Sequence, residues 1–270
     1  MSDGMSNARR GRPAQLSTEA AGNSTALIGL ELLKAIAKAA RPMPLTEIAR
    51  AAGMSASRTH RYLSSLQHAG FVLQNESTGR YGVGPSTIEI GIAAMKSVDG
   101  SQIAAAVMKD LTERTVLCSY LCIWGSNGPT VIRSEMGDVQ TAVRMRIGTN
   151  MSLLTATGQI FLSFMPEERT RDFLKRDIED WKEEMPESTA SVEKSMRLRA
   201  RVQKLGIAKT RGMRNPTWTA FSCPVFDPSG DFRMALTVIG VSALFDTSLD
   251  GPVAEQLKAS AKQLSSTIIA

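Results

Sequence analysis

Apolar positions along the first third of the chain recur at helical spacing, in runs separated by proline and glycine. Residues 24–40 carry Leu27, Ile28, Leu30, Leu32, Leu33 and Ile36 with no internal proline, and Ser24 or Thr25 is placed to cap the start. At roughly 100° per residue these side chains cover most of the circumference, so more than one face is expected to be buried, part of it against another subunit. Pro42 and Pro44 stop this helix, and residues 45–52 form a short second one ending at Gly53, the residue type favoured for a left-handed C-cap. Ser55 caps a third helix that runs to Ala69 and ends at Gly70. On it Ala56, Thr59, Leu63 and Leu66 fall on one side, while Ser55, Arg58, Arg61, Tyr62 and Ser65 lie within roughly 60° of Arg58. Two β-prone runs, residues 71–73 and 80–83, then flank a polar, glycine-containing connection, the pattern of a β-hairpin.

Helix, helix, turn, helix, hairpin is the order of a winged helix-turn-helix, in which the third helix enters the major groove of duplex DNA and the hairpin reaches the flanking backbone. Arg58 and Arg61 are then expected to read guanine edges or grip phosphate, and Ser55 and Ser57, near the positive end of the helix, to hold a phosphate oxygen. Thr46, Thr59, Tyr62 and Ser65 complete the expected DNA-facing set, with Arg80 as a backbone contact from the wing. Charge agrees with this placement. Residues 1–97 hold 11 of the 32 basic and six of the 26 acidic residues, so five of the six net positive charges fall in the first third. Three of them, Arg9, Arg10 and Arg12, belong to an Arg-Gly-Arg-Pro segment ending at Pro13. It is similar to AT-hook cores that enter a narrow minor groove, here within a basic flexible tail over residues 1–23.

Further on, Ile88, Ile92 and Met95 form an apolar stripe on a helix over residues 85–97, and a second helix is predicted over 101–115. Strands are predicted over 116–124, 130–135, 139–147, 207–211, 218–225 and 232–241. Helices are predicted over 155–165, 166–176, 189–205 and 253–269, with the acidic and basic residues of 167–187 covering a pair of solvated helix faces. Strands, then helices, then strands again read as an α+β sheet domain. The 270 residues suffice for two domains with cores of their own, and 43% hydrophobic with 21% charged residues is a globular mix.

Several chemistries are excluded. No apolar run approaches the ~18 residues of a membrane span, so no membrane partner is expected, and the N-terminus lacks the apolar core of a signal peptide. Three cysteines at no framework spacing fit a reduced, cytoplasmic protein. Cys118 and Cys122 lack further ligands for zinc, and Cys223 has only His60 and His68, both on the third helix, as potential bases. Phosphate-loop and nucleophile-elbow motifs are absent. No catalytic residue, metal or cofactor is expected.

The stretch LTEIARAAGMSASRTHRYLSSLQHAGFV, followed by STGRYGVGPSTIEIG, resembles the N-terminal domain of the IclR family of bacterial transcriptional regulators. RIGTNMSLLTATGQIFLSFMP and GIAKTRGMRNPTWTAFSCPVFDPSGDFRMALTVIG are similar to segments of that family's C-terminal domain. The resemblance implies a DNA-binding repressor or activator: a winged helix-turn-helix over residues 24–84, a linker and dimerisation helix over 85–98, and an effector-binding domain with a GAF-like antiparallel sheet over 99–270. It further implies a homodimer or homotetramer on an inverted-repeat operator, with a small-molecule effector. The positions that match the family's ligand contacts are Ala156 and Thr157 before Gly158, then Thr210 and Ala220. An exposed helix N-terminus there favours an anion. The chain departs from the family at Gln159, where a lysine is usual, and Trp124 and Trp218 with Met145 and Met151 suit a pocket friendlier to aromatics, so the expected effector is an anionic or aromatic metabolite. Two rival classes are an enzyme domain over 99–270 tethered by the helices, and a winged helix that binds another protein.

Overall fold

The computed structural model describes residues 24–97, 101–137, 145–212 and 215–267. The chain divides into two compact units, Met1–Ser97 and Val98–Ala270. The segment Arg9 to Pro13 lies outside the described residues, as does most of the strand expected over 139–147; residues 145–147 are not strand.

In the first unit α1 (Ser24–Ala39), α2 (Leu45–Ala51) and α3 (Ala56–His68) precede a hairpin of β1 (Val72–Gln74) and β2 (Tyr81–Val83), and α4 (Pro85–Ser97) follows. Leu32, Ile36, Met43, Ile48, Leu63, Val72 and Tyr81 form the core. α2 and α3 each give way to a glycine in the left-handed region, Gly53 at φ +62° and Gly70 at φ +75°, which lets the chain reverse without a Cβ clash. Met43 and Tyr81 exchange backbone hydrogen bonds, both 2.8 Å, so the wing is tied to the loop before α2. The first turn of α4 is stitched to the turn that ends α3. Gly84 N–H donates to Phe71 O at 2.7 Å, Ser86 N–H to Gly70 O at 3.1 Å, and the Thr87 hydroxyl to Phe71 O at 2.9 Å. α1 is not buried all round within this unit, since Leu27 and Leu30 stay half exposed; on α4, Ile88, Ile90 and Ile92 do too.

In the second unit α5 (Ser101–Thr115) leads into β3 (Cys118–Gly125) and β4 (Gly128–Glu135). Then come α6 (Ala156–Phe164), α7 (Glu167–Glu184), α8 (Val192–Leu205), β5 (Ala208–Arg211), β6 (Trp218–Phe226), β7 (Phe232–Val241) and α9 (Pro252–Ser265). The sheet order is β4-β3-β7-β6-β5, antiparallel throughout. Leu111 of α5 and Leu257 of α9 pack with Leu121, Phe221 and Leu236 in one buried cluster, and Ile160, Phe161 and Leu174 pack with Tyr120 and Cys122 in a second. Strand side chains alternate between these two clusters, as period two requires.

Two of the boundaries that differ from the sequence pattern have a local cause. α7 is one 18-residue helix that continues past the expected end at Arg176, because Thr170, Leu174 and Ile178 continue a buried stripe and Pro186 is the first breaker. α8 starts three residues later than expected, where the Ser191 hydroxyl accepts the Lys194 N–H at 3.2 Å. Among the described residues no helix is long and apolar enough to cross a membrane.

Candidate functional site

The first candidate surface is built on α3. The Ser55 hydroxyl caps the helix by accepting the Arg58 N–H at 3.3 Å. Thr59 is a correction to the expected DNA-facing set: it is fully buried, and its hydroxyl donates back to Ser55 O at 3.0 Å. Tyr62 is half-buried and packs on the core with Leu66. The inward direction of α3 is therefore set by Thr59, Tyr62, Leu63 and Leu66 together. Opposite it, at helical spacing, lie Ser57, Arg61, Ser64 and His68, all exposed. Arg58 and Ser65 occupy one flank and His60 the other. The sequence arc was centred on Arg58, about one-quarter of a turn too far toward Tyr62, because tyrosine was grouped with the polar residues. Ser64, His60 and His68 were missed for that reason. Arg58 and Arg61 keep their guanidinium groups free of hydrogen bonds and ion pairs among the described residues. Thr46 is exposed on α2, the Ser65 hydroxyl donates to Arg61 O at 3.3 Å, and Arg80 is exposed where the hairpin loop enters β2.

The second candidate lies where α6 meets the sheet. Strand register places Thr210, Ala220, Ile239 and Cys118 in one row across β5, β6, β7 and β3, and Ala208, Ser222, Thr237 and Tyr120 in the next same-face row. Trp218 lies one such row further out, paired with Val241. α6 begins over these rows. Its Ala156 N–H donates to the Thr210 hydroxyl at 3.0 Å, and its Gly158 N–H to the Thr155 hydroxyl at 3.1 Å. The Thr157 hydroxyl lies 2.8 Å from the Thr237 hydroxyl and donates to Tyr120 OH at 3.2 Å; Thr237 in turn donates to Ser222 at 2.8 Å. The expectation of an open helix end is thus corrected, since Ala156 and Gly158 both have their amides engaged and the Thr157 side chain is fully buried. Burial also pushes the Tyr120 hydroxyl well above the usual tyrosine range.

Trp124 and Met151 are brought to a different place. Trp124 stands six residues along β3 from Cys118, about 20 Å at strand rise, and packs edge-on against Phe173 at 5.1 Å and tilted on Phe161 at 5.9 Å. Met151 donates its N–H at 2.7 Å to Pro129 O, and Pro129 is the register partner of Trp124 on β4. Both fill the core at the far end of the sheet. Sequence alone lacked the register that separates them from Thr210. The three thiols are buried; burial pushes Cys223 up to about 12 and Cys122 higher still, so they act as small apolar groups. A separate open cleft of about 350 Å³ is lined by Ser152, Asp177, Asp180, Trp181, Glu183 and Glu184, and its carboxylates repel an anionic ligand.

A winged helix with unpaired arginines on its outer line, joined in one chain to a sheet domain layered by helices, is the architecture of a one-component transcriptional regulator. Residues 25–76 match the IclR helix-turn-helix domain and residues 92–266 the bacterial transcriptional regulator IclR C-terminal domain. The chain belongs to the IclR family, one of regulators and not of enzymes. Over 174 residues it is 29% identical to the transcriptional repressor IclR of Escherichia coli, covering 63% of this chain and 64% of that protein. The chain therefore spans under two thirds of that relative's length. The crystal structure of Pseudomonas aeruginosa HmgR superimposes with a TM-score of 0.56 at 31% identity, covering 90% of this chain and 97% of that one. An IclR homologue of Microbacterium hydrocarbonoxydans complexed with 4-hydroxybenzoate shares the fold, with a TM-score of 0.72 at 15% identity and 90% and 98% coverage.

Proposed function

We propose that this protein is a DNA-binding transcriptional regulator, repressor or activator, whose operator affinity responds to a small anionic or aromatic metabolite. The observation that carries the reading is the outer line of α3, with the unpaired Arg61 at its centre. A guanidinium held there without a protein partner is available for a bidentate contact to guanine. Residues 24–84 make the DNA contacts, with Arg58, Thr46 and Arg80 on phosphates. Residues 85–98 link the domains, and the exposed Leu27, Leu30, Ile88, Ile90 and Ile92 join two copies. A homodimer, or a tetramer made of two, presents paired recognition helices to an inverted repeat.

In residues 99–270 the effector is placed beside Thr210, Ala220 and Trp218 at the start of α6, where Ala156 and Thr157 stand. A carboxylate bound there replaces the Thr210 hydroxyl as acceptor for the Ala156 N–H, and the helix dipole favours its charge. The relative complexed with 4-hydroxybenzoate, an aromatic carboxylate, supports this ligand class. The ligand acts by favouring one mutual arrangement of the two DNA-binding domains over another.

The test is selection of a preferred duplex from random sequence, followed by titration of two variants. Arg61→Ala is expected to lose ~1–3 kcal/mol of discrimination at one base position, while Arg58→Ala flattens the salt dependence by about one unit of slope. Unchanged affinity and selectivity in Arg61→Ala would overturn the reading.

A further inference from the structure

We propose that Glu47 is a positioning residue for DNA, its carboxylate fixing the Arg41 guanidinium so that it grips phosphate together with the nearby Arg50 and Arg80. The inference rests on the DNA-binding reading above. Arg41 comes from the loop after α1, Arg50 from α2 and Arg80 from the hairpin loop just before β2. Arg41 closes a two-pronged ion pair on Glu47, with Nη1 donating to Oε2 at 3.2 Å and Nη2 to Oε1. Such a fork fixes the plane of the guanidinium and leaves its remaining donors pointing outward. Arg80 is steadied by donation of its Nη1 to Pro42 O at 3.4 Å, and the Met43–Tyr81 exchange holds β2 beside the loop that carries Arg41.

Three guanidinium charges around one carboxylate leave a surplus of two. The side chains of Arg41 and Glu47 remain 53% and 33% exposed, so the patch faces solvent. The hydrogen bond from Arg41, joined by the charges of Arg41, Arg50 and Arg80 and opposed by burial, holds the Glu47 carboxyl below the ordinary carboxylate range. Among the described residues Arg41 is the arginine bonded to Glu47, and Arg80 is bonded instead to Pro42 O. A lone exposed ion pair contributes little to stability. On a surface that meets phosphate, a carboxylate also repels the ligand. Orientation of Arg41 gives that negative charge a use, and the consequence is opposite in sign to charge counting. Removing the charge from Glu47 weakens DNA binding.

The experiment uses the full chain and a fluorescent duplex of arbitrary sequence, with binding measured across a salt series. Glu31→Gln on α1, which loses the same charge, is expected to bind as tightly as the parent protein or slightly tighter. Glu47→Gln is expected to bind several-fold more weakly, with the slope of log K against log salt shallower by about 0.9, the loss of the Arg41 phosphate contact. Arg41→Ala and Arg80→Ala each flatten it by about 0.9. If Glu47→Gln binds as tightly as the parent, or weakens with its slope unchanged, the positioning role is refuted while the DNA-binding reading stands. Absence of salt-dependent binding by the parent protein refutes the reading itself. Should Glu47→Gln fail to fold, Arg41→Lys decides, since it keeps the charge and loses the fork; a slope equal to the parent's overturns the proposal.

Discussion

Substituting Gly158 by alanine separates helix propensity from packing, because the two predict opposite signs. Alanine at a helical position is worth about 1 kcal/mol over glycine, so propensity alone predicts a gain. A Cβ at Gly158, however, would lie 2.2 Å from Ser152 O, 2.3 Å from Leu153 Cα and 2.7 Å from Leu153 C, all backbone atoms that no rotamer change can clear. Ordinary contact requires the start of α6 to withdraw by about 1 Å, an overpacking strain of about 1–3 kcal/mol. That movement stretches the Ala156–Thr210 bond of 3.0 Å and the Thr157–Thr237 bond of 2.8 Å beyond hydrogen-bond reach. Leaving buried hydroxyls short of partners adds about 1–3 kcal/mol, so against the propensity gain of about 1 kcal/mol the net expectation is a loss of about 1–5 kcal/mol, centred near 3. For a unit of this size a loss of about 3 kcal/mol lowers Tm by roughly 6–12 °C. Trp124, Trp181 and Trp218 are the three tryptophans of the chain, and all lie in the second unit, so tryptophan fluorescence follows its melting without interference from the winged helix. A Gly158→Ala protein that melts at or above the parent temperature would refute the close approach of the 152–153 backbone to α6.

Val116 is 58% exposed and holds φ +58°, an unfavourable conformation for a β-branched residue. Val116→Gly is expected to stabilise the second unit by about 0.5–1 kcal/mol, strain relief of ~1–2 offset by glycine's entropy, and an unchanged or lower Tm argues against that strain. Asp227 is buried, which raises its carboxyl pKa, but hydrogen bonds from the Asp231 and Ser229 amides and the Arg233 guanidinium overcome this and hold it below the ordinary value of 3.8. A depressed folded value means that its contribution to stability is complete above 3.8 and is lost as pH falls through the folded value. Denaturant melts of Asp227→Asn should therefore lack part of the parent's acid sensitivity below pH 3.8 and show no new pH dependence from pH 5 to 8.

What the sequence disclosed follows the range of the forces involved. The helix ends of the first unit were legible because Ser55, Gly53 and Gly70 act on the backbone next to them. The face of α3 was less so. Tyr62 is amphipathic, and only its packing against the core decides which way the helix is turned. In the second unit each strand could be located from its own residues, but register depends on pairing partners more than a hundred positions away, as between β3 and β7. Trp124 and Thr210 therefore looked like neighbours until β3, β7, β6 and β5 were aligned. Gly158 marks the same limit in another form. In the sequence it served only to place Ala156 and Thr157, and nothing there told that the chain crossing it would be its own, six residues earlier.

The hydrogen bonds between the Gly70–Phe71 turn and residues 84–87 have a mechanical meaning. A Cβ at Gly84 would stand 2.2 Å from Gly70 O, so no side chain separates the connector from the end of the recognition helix. Torque applied to α4 is delivered to that end directly, without first deforming the hydrophobic centre of the head. Under the proposed function the connector is the shaft of a key whose bit is α3, and loosening this joint is expected to disconnect metabolite sensing from operator release while leaving each competent by itself.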